Sequence, residues 1–249
     1  MPVLVLSPRY TDDSINLRRT ALSMGWSVER LTRWQPPTHL RDQDVVVYGE
    51  PLFVEFVAQA TERVVLEPAF DWLVTLPLSH TKRKIIYTTL EKARFHQERA
   101  FIKPAEEKSF PAKVYESGAD IPHNAGIPET STVLISEPVE WCVEFRGFVL
   151  SGQIAALSPY IRGGALAQDE EGRWQATEEE YTQARAFLEQ VLADEAVQLP
   201  PAVVVDVGLL ATGEWAVVEA NGASASGLCA CSPEDVLPVL QRCCVPKES

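Results

Sequence analysis

The spacing between apolar runs changes once along this 249-residue chain, and that change limits the fold more than any other feature. Up to about residue 78, short apolar runs alternate with segments of helical spacing. Val3-Leu4-Val5-Leu6, Trp26 to Leu31, Asp44 to Tyr48 and Arg63 to Leu66 read as strands. Between them, Asp13 to Met24 carries Ile15, Leu17 and Leu22 at helical spacing before Gly25, and Pro51 to Thr61 opens with proline in its first turn. Strands separated by helices pair in parallel, so this stretch predicts a small α/β lobe.

Past a helix expected over Thr81 to Ala93, the runs follow each other too closely for helical crossovers. Phe101-Ile-Lys103, Ala112 to Tyr115, Thr132 to Ser136, Val143 to Leu150 and Gln153 to Leu157 read as strands, with Ser151-Gly152 as a hairpin turn. Thr177-Glu-Glu-Glu180 is a capping box before an amphipathic helix carrying Tyr181, Ala184, Phe187, Leu188 and Val191. Ala202 to Leu210 and Trp215 to Glu219 are strands joined by Thr212-Gly213-Glu214, and a last helix is expected from Pro233 to Cys244. Short connections of this kind require antiparallel pairing, so the second part is α+β. A boundary is expected at 78/79, with residues 79–136 and 137–249 as two lobes of the larger part.

Charge narrows the partners. With 22 Lys and Arg against 35 Asp and Glu, the net charge is −13, which opposes nonspecific nucleic-acid binding because that affinity comes from cations at phosphates. The segment from His80 to Lys113 is nevertheless locally basic, the pattern of a site for a small anionic ligand. No apolar run approaches the ~20 residues of a membrane span, and the N-terminus lacks the basic flank and long apolar core of a signal peptide, so the cytoplasm is the expected location. The cysteines, Cys142, Cys229, Cys231, Cys243 and Cys244, lack the C-x-x-C pairing of a zinc site and read as free thiols.

The sharpest constellation is Asp206-Val-Gly followed on the next strand by Glu219-Ala-Asn221. Alternation puts Glu219 and Asn221 on one face, and the hairpin brings Asp206 opposite. Two carboxylates and an amide oxygen are the hard ligands that Mg²⁺ takes when phosphates complete its shell; strand-end capping and an Asn-Gly turn are the competing explanation. Glu144-Phe-Arg146 places an acid and a base on one strand face, suited to a ribose or cation and to a phosphate, or else to a solvated cross-strand ion pair. In Phe101-Ile-Lys103-Pro104 a lysine interrupts an apolar strand and must meet an anion or snorkel to water. Ile135-Ser-Glu137-Pro138-Val139 ends a strand where a backbone can face a planar base. No phosphate-binding glycine loop, nucleophile elbow or H-E-x-x-H motif is present.

The order of these motifs, F-I-K-P, E-P-V, E-F-R, D-V-G and E-A-N-G-A-S over roughly Lys82 to Leu228, resembles the ATP-grasp superfamily, in particular the ligases that add glutamate to ribosomal protein and the small ATP-grasp proteins of bacteria and phages. The resemblance implies a pre-ATP-grasp α/β lobe, then an ATP-grasp body with its nucleotide cleft between two antiparallel-sheet lobes. It implies ATP and Mg²⁺ as cofactors. Lys103, Lys82 and Lys113 would hold phosphates, Glu137 and Val139 adenine, and Glu144 the ribose or metal; Asp206, Glu219 and Asn221 would be the magnesium ligands and Arg146 the catalytic arginine at the transferred phosphoryl. The implied reaction is ATP-dependent activation of a small-molecule or peptide carboxylate as an acyl phosphate and its capture by an amine or thiol. A small-molecule kinase and a non-catalytic nucleotide-binding module are the alternatives on the same fold. One departure stands out: between Lys103 and Lys113 the family's glycine-rich flap is replaced by Glu106, Glu107, Lys108 and Pro111, leaving Lys108, Ser109 or Lys113 to close over the phosphates. Tyr160, Arg162 and Gly163-Gly164 are expected to face the second substrate.

Overall fold

The computed structural model describes residues 1–33, 36–106, 109–123 and 126–247. Strands β1 (Pro2–Leu6), β2 (Ser27–Arg30) and β3 (Asp44–Tyr48) form a parallel sheet in the order β2-β1-β3, with helix α1 (Asp12–Ser23) between β1 and β2, a 3₁₀ turn (Thr38–Asp42) before β3 and helix α2 (Pro51–Ala60) after it. Thr11 caps α1 in a reciprocal box with Ser14, satisfying donors the first turn leaves open. The fourth expected strand, β4 (Arg63–Val65), leaves this sheet.

Two short helices, α3 (Trp72–Thr75) and α4 (Leu78–Thr81), lead to β5 (Ile85–Thr89) and a single turn, α5 (Leu90–Ala93). The helix expected over Thr81 to Ala93 is therefore mostly strand. Lys82 ends α4 in the left-handed conformation, φ 52°, and the run Ile85, Ile86, Thr88 and Thr89 is β-branched, which favours a pleated surface. With β6 (Ala100–Pro104), β7 (Lys113–Tyr115) and β8 (Thr132–Ser136), β5 builds an antiparallel sheet in the order β5-β8-β6-β7. One face carries Ile102, Val133 and Ile135 into a core closed by Leu90, Phe110 and Ile121.

The largest sheet, β11-β10-β9-β12-β13, is also antiparallel: β9 (Trp141–Leu150), β10 (Gln153–Arg162), β11 (Ala165–Leu166), β12 (Ala202–Leu210) and β13 (Trp215–Asn221). Ser151 and Gly152 both have positive φ, 50° and 76°, the twist that a two-residue turn between β9 and β10 demands. Helix α6 (Glu178–Ala193), opened by the Thr177–Glu180 capping box, covers one face and buries Ala184, Leu188 and Val191 on Val143, Phe145, Val203, Val205 and Val207. The backbone of Gly147 leaves room for Leu188, whose Cδ2 lies 2.5 Å from where a Cβ would sit.

The opposite face is divided. Its apolar half, Phe148, Ala202 and Val204, packs on Leu4, Leu6 and Val46 of the parallel sheet, on Leu17 of α1 and on α7 (Pro233–Leu240). Its charged half carries Glu144, Arg146 and Asp206. The last helix stops at Leu240, short of the expected Cys244, because residues 244–246 form β14 (Cys244–Pro246) antiparallel to β4 and Val245 precedes a proline, which disfavours helix there. No helix among the described residues is long and apolar enough to cross a membrane. The five cysteines are free thiols.

Replacing Leu188 with Ala removes the side chain on which both the α6 interface and the Gly147 approach depend. The expected cost is about 3 kcal/mol, read as a fall of about 6 to 12 °C in Tm for a chain of this size.

Candidate active site at the junction of the two antiparallel sheets

The charged half-face is organised by one row of cross-strand neighbours. Register places Arg146 of β9 opposite Asp206 of β12, and Asp206 opposite Glu219 of β13. Arg146 Nε donates to Asp206 Oδ1 at 3.0 Å and Nη2 to Oδ2 at 2.7 Å, a fork-on-carboxylate pair with residue exposures of 6% and 0%. A bulge between Pro159 and Ile161 leaves Tyr160 without a cross-strand partner, and its ring lies 3.9 Å from Arg146 Cζ.

A second bulge decides where Glu219 points. Val207 pairs with Val217 and Asp206 with Glu219, so Val218 is an extra residue on β13. Strict alternation would put Val217 and Glu219 on one face; the extra residue reverses parity between them. Val217 and Trp215 therefore stay in the core under α6, while Glu219 and Asn221 join Asp206. Arg83 stabilises this bulge. Buried at 6% exposure, it donates from Nη1 to the carbonyls of Thr81 (3.0 Å) and Val217 (2.8 Å), and from Nη2 to that of Val218 (3.1 Å), with Trp141 5.1 Å away. Burial lowers its pKa to about 10, still well above neutrality.

Lys103 closes the row from the other sheet. It alternates with Ile102 on β6, so its side chain leaves the β5–β8 core, and Nζ donates to Glu219 Oε2 at 2.6 Å. Asn221 Nδ2 donates to Glu219 Oε1 at 3.0 Å. Burial works to raise the Glu219 carboxyl, but the Lys103 ammonium and the Asn221 amide hold it below the usual glutamate value. Burial pushes the Asp206 carboxyl above the usual aspartate value against the pull of Arg146. Glu144 rises to about 7 through burial and the carboxylates of Asp206 and Glu219.

The remaining expected residues are dispersed. Lys82 is the left-handed residue ending α4, not part of a longer helix, and its ammonium meets Glu214 at 3.1 Å at the β12–β13 turn, several residues along β13 from Glu219. Lys113 lies 4.9 Å over the Tyr115 ring. Glu137 Oε2 accepts from the backbone N–H of Lys84 at 2.7 Å, pinning the start of β5 to the link between β8 and β9, where Val139 is half-buried. Glu107 and Lys108 lie outside the described residues. Arg162 forms a bidentate pair with Glu180, at 3.0 and 2.8 Å, away from Tyr160.

Missed by sequence reasoning is a cleft of about 500 Å³ beside Arg146, lined by Asp12, Asp13, Tyr160, Trp174, Gly227 and Cys229 among others. Asp13 Oδ2 accepts from Tyr48 Oη and from the backbone N–H of Leu228, both at 3.1 Å. In the sequence Asp13 read only as the start of a helix.

A family profile described as an ATP-grasp domain, the second family of its clade, matches residues 80–239. The chain belongs to this ATP-grasp family. The sequence matches no curated protein. Solved structures share the ATP-grasp fold at low identity. A RimK domain protein ATP-grasp from Sphaerobacter thermophilus DSM 20745 is 15% identical, with 97% of this chain and 98% of that one covered and a TM-score of 0.54. Macrocyclase MdnC bound with precursor peptide MdnA from Microcystis aeruginosa MRC is 12% identical over 97% of both chains, TM-score 0.52. ATP-grasp ligase PsnB, complexed with a phosphomimetic variant of its minimal precursor, Mg and ADP, is 14% identical over 96% of this chain and 97% of that one, TM-score 0.50. The likeness is of fold: the two antiparallel sheets with Lys103, Glu219, Asp206 and Arg146 at their junction form the ATP-grasp body.

The donor set has the chemistry for a divalent cation, but its oxygens are engaged. Glu219 and Asn221 share a face of β13 and Asp206 stands opposite, while both Asp206 oxygens accept from Arg146 and the Glu219 oxygens accept from Lys103 and Asn221, so an ion would share or displace these contacts. Among the described residues no three of His, Cys, Asp or Glu cluster closely enough to enclose an ion unaided. Mg²⁺ keeps only one or two carboxylates when phosphate oxygens complete its octahedron, so this set fits an ion shared with a nucleotide.

Two outcomes follow. Arg83→Met strands the bulge carbonyls without a donor, and an unsatisfied buried polar group costs about 1 to 3 kcal/mol; chemical denaturation measures the loss. Glu144 has a folded pKa of about 7 against an ordinary value of 4.5, so the folded chain holds its proton more tightly across that window. Its contribution to stability falls as pH rises through the window. Glu144→Gln is therefore expected to gain Tm relative to the parent from pH 5 to pH 8 with chelator present, and a constant difference would contradict the shift.

Proposed function

We propose that this ATP-grasp protein is an ATP-dependent ligase that activates a carboxylate for attack by an amine, or by a thiol. The observation that carries this reading is the row Lys103, Glu219, Asp206 and Arg146, which sets two cations and two carboxylates side by side where the two sheets meet. ATP and Mg²⁺ are the cofactors that membership of the ATP-grasp family brings; PsnB, of the same fold, was solved with Mg and ADP, and MdnC with a precursor peptide. When bound, ATP supplies a γ-phosphoryl whose transfer to a carboxylate oxygen turns that oxygen into a leaving group, lost as phosphate with its electron pair when the new C–N or C–S bond forms.

The residues have separable tasks in this reading. Glu219, Asn221 and Asp206 would hold Mg²⁺. Lys103, whose strand ends at Pro104 and whose ammonium already faces this point, would meet phosphate oxygens. Arg146 is fixed by Asp206 through Nε and Nη2, which leaves Nη1 as its donor toward the cleft. At neutral pH it is charged, because Asp206 outweighs burial and holds the guanidinium above the usual arginine value. A rigid, charged donor stabilises charge at a transferring phosphoryl without reorganisation, which is most of what phosphoryl-transfer catalysis requires. Residues 137–139, anchored by Glu137 on Lys84, would border the adenine. Residues 1–78 would be the pre-ATP-grasp lobe and 79–249 the ATP-grasp domain, with ends that interlock through β4 and β14.

The test is thermal unfolding with a non-hydrolysable ATP analogue and Mg²⁺. At a hundred times its Kd a ligand stabilises by about 2.7 kcal/mol, here about 5 to 10 °C. Glu219→Gln combined with Asn221→Ala is expected to lose the Mg²⁺-dependent part of the shift; no shift in the folded parent defeats the reading. During turnover, hydroxylamine traps an acyl phosphate as a hydroxamate, whereas a phosphorylated hydroxyl with no hydroxamate would assign a kinase instead.

A further inference from the structure

The cleft beside Arg146 has opposite charges on two walls. Arg146 is more than nine-tenths buried, its Nε and Nη2 are taken by Asp206, and Nη1 has no partner among the described residues. On the other wall are Asp13, half-buried and oriented by Tyr48 and the Leu228 N–H, and Asp12, exposed at the start of α1. Gly227 brings the two walls together. A Cβ there would lie 3.6 Å from Asp13 Oδ2 and 4.0 Å from Arg146 Nη1, so a small group in that space would touch both charges. Leu166, Trp174 and the Tyr160 ring, itself fixed under the guanidinium, supply an apolar flank. Cys229 adds no charge, because burial pushes its thiol up to about 12.

An occupant matching this arrangement carries a cation and an anion a few ångströms apart and an apolar body beside them. We propose that the cleft binds a free α-amino acid, its ammonium held by Asp13 and Asp12 and its carboxylate directed to Arg146 Nη1. This rests on the ligase reading above and names its substrate class: the amino acid is the activated carboxylate. One carboxylate oxygen forms a bond to the γ-phosphorus of ATP while the bond from that phosphorus to ADP breaks, its electron pair leaving on ADP. The ammonium, salt-bridged to two aspartates, stays protonated and so is kept from acting as the nucleophile. An acid without an amine leaves Asp13 unmatched, and an amine without an acid leaves Arg146 Nη1 unmatched, so both groups are read.

Calorimetry and thermal unfolding with L-phenylalanine, N-acetyl-L-phenylalanine and L-phenylalaninamide test this, with the other proteinogenic amino acids as a second panel and each run with and without the ATP analogue and Mg²⁺. The zwitterion is expected to bind about tenfold or more tightly than either blocked form. Asp12→Asn is expected to narrow its advantage over the N-acetyl compound but not over the amide. Asp13→Asn should do the same more strongly; since it also alters hydrogen bonds to Tyr48 and Leu228, the exposed Asp12 variant decides if it fails to fold. Gly227→Ala meets its neighbours at ordinary contact distances yet fills the space between the charges, and is expected to abolish binding in a folded chain. Equal affinity for blocked and free forms, or no binding by any amino acid under either condition, overturns the proposal. The nucleotide shift in the same samples separates the two claims: amino acid binding without it would sink the ligase reading and with it the role of the amino acid as activated carboxylate, leaving only a zwitterion site, and the shift without amino acid binding would sink this proposal alone.

Discussion

The buried pair between Arg146 and Asp206 holds the site in register. A carboxylate with no exposed surface would be neutral unless a cation met it, and an isolated guanidinium at that depth would be strongly destabilising. Each makes the other tolerable, and the bidentate geometry fixes the angle of the guanidinium plane. The neighbours take their places from that plane: Tyr160 lies against it, Glu219 is the next residue in the row, and the third nitrogen faces the cleft. The pair sits where the half-face of the large sheet changes from apolar to charged, so the hydrophobic packing of Phe148 and Val204 on the parallel sheet ends where the polar site begins.

That placement gives the site two sides of different character. Toward β13 and β6 it offers oxygen donors and an ammonium, the complement of a metal–phosphate group. Toward α1 it offers a guanidinium nitrogen and two aspartates, the complement of a small zwitterion. The residue common to both is Arg146. The parallel sheet is thus more than a support, because the start of α1 supplies a wall of the cleft, held in place by the hydrogen bonds of Asp13 to Tyr48 and Leu228 and by the packing of α1 on α7.

Much of the architecture was legible because periodicity and turn chemistry act locally. The α/β beginning, the Ser151-Gly152 turn, the Thr177 cap and the long strands from Val143 onward carry their signals in neighbouring residues. So did the resemblance on which ATP-grasp membership rested, since F-I-K-P, E-F-R, D-V-G and E-A-N are short and ordered. The misread segment, Thr81 to Ala93, is one whose β-branched residues meet their partner only in β8, some forty-five residues further along. The end of the last helix was likewise set in part by a distant strand, β4, with which residues 244–246 pair.

The residue types available for the chemistry were fixed by the chain alone, as was the placing of Glu144 with Arg146 and Glu219 with Asn221 on common strands, because alternation along a strand needs no tertiary information. Which face each would take, and which charges would meet, came only with folding. The bulge at Val218, with Arg83 on its carbonyls, turned Glu219 toward Asp206; strand pairing set Arg146 against Asp206; sheet packing brought Lys103 to Glu219 and left Lys82 with Glu214; and the return of the chain past Gly227 carried Asp13 to the guanidinium. Apart from the hairpin neighbours Asp206 and Glu219, these are contacts between residues scores of positions apart, whose free energies arise from burial and charge compensation in the folded chain, and no local pattern encodes them.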